Sequence, residues 1–150
     1  MSKFLLSVCA FGLLLSSAFA EEKSPEQRQQ ESNQIVEGLP KMNWARVVAS
    51  GTNQRIGFFY AVNPDCSANG DINIRVTKQP EHGTVETAAA TDSPNFEREN
   101  IRYRCNQKKV RGQQVNYKSA EKYIGSDTLE LLVVFPGGFG QEVHFNINVR

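Results

Sequence analysis

The 150 residues carry 17 Lys and Arg against 16 Asp and Glu. That balance argues against a nucleic-acid partner, which a strongly basic chain would announce. Three cysteines, two histidines and no Cys-x-x-Cys give no thiol centre or metal cage from composition, and the length suits one domain around one core.

The chain opens like an export signal, residues 1–20. Lys3 supplies the positive end, Phe4 to Leu15 an apolar run, and Ala18-Phe19-Ala20 a small-x-small cleavage site before Glu21. The run is shorter than the about 20 apolar residues of a membrane-spanning helix. The expected product is therefore exported, periplasmic or secreted in a bacterium, and not membrane-spanning. Cys9 is not read as a lipid anchor, because Val8 precedes it where a lipobox wants a small residue. Loss of Lys3 leaves 16 basic and 16 acidic residues. Cys66 and Cys105 remain, and an even pair in a small exported domain predicts a disulfide.

Residues 21–38 form a Glu-, Gln- and Ser-rich stretch with Ile35 and Val36 as its only strongly apolar residues, expected to be a disordered leader or a frayed helix. The folded domain is expected over 39–150. Trp44 to Ser50 reads as a strand, with Trp44 in the core. Gln54 to Val62 reads as another, with Ile56, Phe58, Tyr60 and Val62 on one face. Ile72, Ile74 and Val76 alternate with polar residues. Pro80-Glu81-His82-Gly83 turns the chain into a strand from Thr84 to Ala88. In 100–106 the same period puts Ile101, Tyr103 and Cys105 inward and Arg102 and Arg104 outward. Val110 to Ser119 is a strand with a bulge expected near Gly112, and 120–125 a single helical turn. Leu129, Leu131, Val133 and Phe135, then Val143, Phe145, Ile147 and Val149, mark a closing hairpin around Pro136-Gly137-Gly138-Phe139-Gly140. Seven to eight short strands without a sustained helical period predict an all-β sandwich.

Pro80-Glu81-His82-Gly83-Thr84-Val85, Val115-Asn116-Tyr117 and Tyr123-Ile124-Gly125-Ser126-Asp127-Thr128-Leu129 resemble bacterial cadherin-like and immunoglobulin-like modules over residues 72–150. The resemblance implies an immunoglobulin-like or cadherin-like Greek-key fold. It implies little about activity, because such folds host many functions. The chain departs from those modules in being a single copy with a cysteine pair. It lacks the Asp-rich cluster that calcium needs.

The leading functional feature is charge. Residues 98–122 hold eight Lys or Arg against Glu99 and Glu121, so Arg102, Arg104, Lys108, Lys109 and Arg111 predict a basic face for an anionic envelope component or an acidic protein. Phe139, at a glycine-rich loop tip, is a second candidate contact. No cofactor and no metal are expected, and the sequence is silent on oligomeric state. The expected function is non-enzymatic binding. The alternative is a small periplasmic hydrolase built around His82 with Asp127 or Glu86. For His82, His144 and Asp127 a structural role is the simpler expectation, with the Asp127 carboxylate accepting hydrogen bonds from turn amides.

Overall fold

A computed structural model describes residues 24–27 and 38–150. The expected signal at 1–20 and most of the leader lie outside the described residues. Residues 25–27 form a helical turn, closed by reciprocal bonds between Ser24 and Gln27: the Gln27 N–H donates to Ser24 Oγ, and the Ser24 N–H to Gln27 Oε1.

Seven strands follow: β1 (Lys41–Val48), β2 (Asn53–Tyr60), β3 (Asn73–Lys78), β4 (Gly83–Asp92), β5 (Val110–Ser119), β6 (Gly125–Val134) and β7 (Gly140–Val149). They form two sheets, ordered β1-β7-β6-β3 and β2-β5-β4. The protein is thus the all-β sandwich its periodicity predicts. The closing hairpin is central to it: Leu129, Leu131, Val133, Val143, Phe145, Ile147 and Val149 are buried, facing Ile56, Phe59, Val115 and Tyr117 of the other sheet. Trp44 is half-buried against this core, stacked on Phe59 and edge-on to Phe145, each at 5.3 Å. β1 pairs parallel to β7.

Local departures have physical causes. β1 starts at Lys41 and ends at Val48, before Gly51, which turns the chain with a φ of 71°. In β2 the register slips between Arg55 and Gly57. Phe59 therefore joins the core, while Phe58 and Tyr60 face away. Gly112, by contrast, keeps regular pairing to Tyr60 and Ala90 and makes no bulge. It is glycine because a Cβ there would stand 2.2 Å from the Phe59 carbonyl oxygen. β4 runs on to Asp92. Residues 120–124 make an irregular turn with Lys122 at a φ of 60° rather than a helical turn.

The largest correction concerns 100–106. The segment is not a strand: Tyr103–Gln107 is a 3-10 helix. Ile101 and Tyr103 are exposed and Cys105 alone is buried. Cys105 is bonded to Cys66, with Cα atoms 5.4 Å apart. The bridge ties the β4–β5 connection to the β2–β3 loop.

Candidate functional site

Three connections gather at one end of the sandwich: β2–β3, β4–β5 and β6–β7. All the sequence-predicted contact residues lie there. Gly70 in the first connection packs on Pro136 in the third, since a Cβ at Gly70 would lie 3.1 Å from the proline ring. The disulfide joins the first to the second.

Between the sheets at this end opens a cleft of about 530 Å³. Gly70, Asp71 and Ile72 form one wall, and Thr91, Arg111 and Gln113 belong to the other. Thr91 pairs with Arg111 and Ala89 with Gln113, in the same alternation that buries Val115 and Tyr117. Successive strand residues change face, so Arg111 and Gln113 project into the space between the sheets, where the core has run out. Among the described residues the Arg111 side chain has no hydrogen bond or ion pair. Its guanidinium offers five N–H donors in a planar fork, suited to a carboxylate, phosphate or sulfate group.

The other predicted cations divide. Arg102 does not lie on a strand face: its Nε donates to the Val62 carbonyl at 2.7 Å. Arg104 donates through Nε and Nη2 to the Pro64 carbonyl at 3.0 and 2.7 Å. Their donors hold the loop that carries Cys66. Lys109 pairs with Asp92 at 3.0 Å, and Arg55 meets the same carboxylate at 2.6 Å. The bond from Lys109, followed by those from the Ser93 N–H and Arg55, pulls the Asp92 carboxyl down to about 2. Lys108 has no partner among the described residues. The basic face therefore reduces to Arg111 and Lys108 as uncommitted charges. Phe139 is 55% exposed, its ring tilted against Phe135 at 5.8 Å. It does not fold back into the core.

The cleft's polar walls are legible only after strand register is known. The usable signal was the inward phase of Arg111 and Gln113, set by Val115 and Tyr117. A count of basic residues gives Arg111 no such place.

The opposite end holds His82. A cleft of about 400 Å³ is lined there by Glu81, His82, Ser119 and Glu121. The imidazole stacks flat on Tyr123 at 4.0 Å and has no hydrogen bond among the described residues. Asp127 reaches the backbone and not the ring: it accepts from the Glu81 N–H at 3.0 Å, the His82 N–H at 2.9 Å and the Thr128 N–H at 2.8 Å. The Tyr117 hydroxyl adds a bond at 2.8 Å. Burial alone would raise this carboxyl, but the four donors outweigh it and hold it below the usual range. A carboxylate so engaged is not oriented to assist the His82 imidazole. Glu86 lies on exposed β4, paired to Asn116.

No family model and no curated protein match the chain. Among solved structures it is similar to amebosin, whose solution structure aligns with 75% of this chain and 98% of its own at 11% identity and a TM-score of 0.39.

Proposed function

We propose that the chain is an exported, non-enzymatic binding module with an immunoglobulin-like topology, taking an anionic partner at the loop-bearing end of its sandwich. The observation that carries this reading is Arg111, an unpaired guanidinium in a cleft of about 530 Å³. A charge at a concave surface attracts a counter-ion more strongly than one on an open face. Lys108 adds an exposed charge at the same end, and Phe139 an apolar contact. The strand order supports this reading: β7-β6-β3 against β2-β5-β4, with β1 beside β7, resembles the CFG and BED strand sets of immunoglobulin-like domains. The disulfide supports an oxidising compartment. No described helix is long and apolar enough to cross a membrane.

The test uses dextran sulfate as a polyanion probe, with neutral dextran as the control. The folded chain binds the sulfated polymer, and Arg111→Ala weakens binding by about tenfold, in line with one lost charged contact. Binding falls further as salt rises, because the screening length is about 8 Å at physiological ionic strength. Undiminished binding by Arg111→Ala, or equal binding to neutral dextran, removes the proposal.

A further inference from the structure

The outer face of the β1-β7-β6-β3 sheet carries a cluster unrelated to the cleft. Glu130 on β6 is the cross-strand partner of His144 on β7. Glu142 lies two residues before His144, hence on the same face. One donor atom from each of the three falls within 4.8 Å of the others. The His144 Nε2 is 2.6 Å from Glu142 Oε1, and Nδ1 is 3.8 Å from Glu130 Oε1.

A second observation concerns Glu142 itself. It is only 5% exposed, although it points away from the core, and its Oε2 is buried without a hydrogen bond. Lys41 Nζ stands 3.2 Å from that oxygen as an ion pair, outside hydrogen-bonding geometry. A buried carboxylate oxygen without a bond is uncommon and asks for a ligand or a water. Two carboxylates share this spot with one imidazole, whose charge depends on protonation, and one lysine that is half in solvent.

We propose that Glu130, Glu142 and His144 form a binding site for a borderline divalent metal ion of the zinc class. One nitrogen and two carboxylate oxygens are the donors such ions accept, at about 2.0–2.2 Å, with a fourth position left to water. Donors around a tetrahedral ion stand about 3.4 Å apart at those bond lengths. The two carboxylates meet different ring nitrogens and an ion takes only one, so binding turns the imidazole and the carboxylates about their side-chain torsions. Two adjacent hydrogen-bonded strands fix the spacing of the three Cα atoms, so the backbone of the site is in place before an ion arrives. The imidazole nitrogen selects zinc-class ions over magnesium or calcium, which prefer oxygen donors alone.

The test is calorimetric titration of the chelator-stripped chain with Zn²⁺, and separately with Mg²⁺. One Zn²⁺ binds per chain in the micromolar range and raises the melting temperature, while Mg²⁺ gives no heat. His144→Ala and Glu142→Gln each weaken Zn²⁺ binding at least about tenfold, whereas His82→Ala leaves it unchanged. Circular dichroism of each variant separates lost binding from lost folding, and Glu130→Gln provides a further substitution at the less buried carboxylate. In NMR the His144 ring nitrogens shift with Zn²⁺ and those of His82 do not. Zn²⁺ binding weaker than millimolar, or equal binding by folded His144→Ala, overturns the proposal.

Discussion

The Tyr117 hydroxyl and Asp127 Oδ2 meet at 2.8 Å in a position closed to solvent, joining the middle strand of one sheet to the entry of a central strand in the other. Through the same carboxylate, the β3–β4 turn is fastened by two amides. One side chain thus organises the end of the sandwich opposite the cleft. Removing it strands several buried donors at once.

Asp127→Ala is therefore expected to cost about 3 kcal/mol, and Tyr117→Phe about 1 kcal/mol. The pH dependence has a definite sign. The Asp127 carboxyl sits below its unfolded value near 4, so its contribution is complete above about pH 4 and is lost as pH falls through the folded value. Urea melts at pH 7 and pH 2.5 check this: the gap between wild type and Asp127→Ala narrows at the lower pH. An equal gap at both values rules the account out.

The Cys66–Cys105 bridge closes a separation of 39 residues. In the chain-entropy picture that is about 4 kcal/mol, and the paired Ala variant measures it. The bridge serves a satellite cluster outside the main core, with Val62, Cys105 and Val110 buried and Tyr60 edge-on to Phe96. Hydrogen exchange in the double variant should therefore accelerate first in residues 93–109, while β6 and β7 stay protected. Uniform acceleration across the chain counts against a separate cluster.

The basic residues separate by role. Arg102→Ala and Arg104→Ala each lower stability by about 1 kcal/mol, because a loop carbonyl loses its donor. Lys108→Ala and Arg111→Ala change stability by less than about 0.5 kcal/mol. Thermal melts of the four variants, set beside polyanion binding, show whether stability and binding reside in different arginines.

Gly112→Ala is expected to be among the most damaging single-methyl additions, at about 3 kcal/mol, since its Cβ would meet a backbone oxygen and the Phe58 ring at 2.8 Å. A backbone atom has no rotamer to escape into. A near-neutral melt for this variant would mean that β2 and β5 can separate locally.

The hairpin of β6 and β7 was legible because strict alternation leaves one reading of its faces. Its five-residue connection also sets the register that brings Glu130 opposite His144. That cluster was within reach of the sequence, but only through pairing, since Glu130 lies 12 residues before Glu142 on a different strand. In β2 the period failed because a slip at Arg55 and Gly57 leaves each residue's type unchanged. The burial of Cys105 was anticipated through a strand that does not exist. The 3-10 helix is held by Arg102 and Arg104 reaching carbonyls 40 residues away, which no local pattern encodes. Arginines counted as surface charge were partly loop fasteners. The carboxylate at Asp127 did bond turn amides as anticipated, although two of them belong to a turn more than 40 residues earlier.

The parallel pairing of β1 with β7 bears on the order of events during synthesis. Lys41 finds its ladder partner at Glu142, roughly 100 residues later along the chain. The seam is finished where the Arg150 N–H donates to the Val48 carbonyl at 2.9 Å. A nascent chain presents its first strand long before the neighbour for that strand has been made. Until then Trp44 and Val48 lack their β7 partners, Phe145 and Val149. Long-range pairing of this kind slows folding and prolongs the time apolar strand surface is open to other chains. The β1 seam therefore closes only after the last strand is available. A holding chaperone would have its clearest task on residues 41–48, a strand made well before its ladder partner.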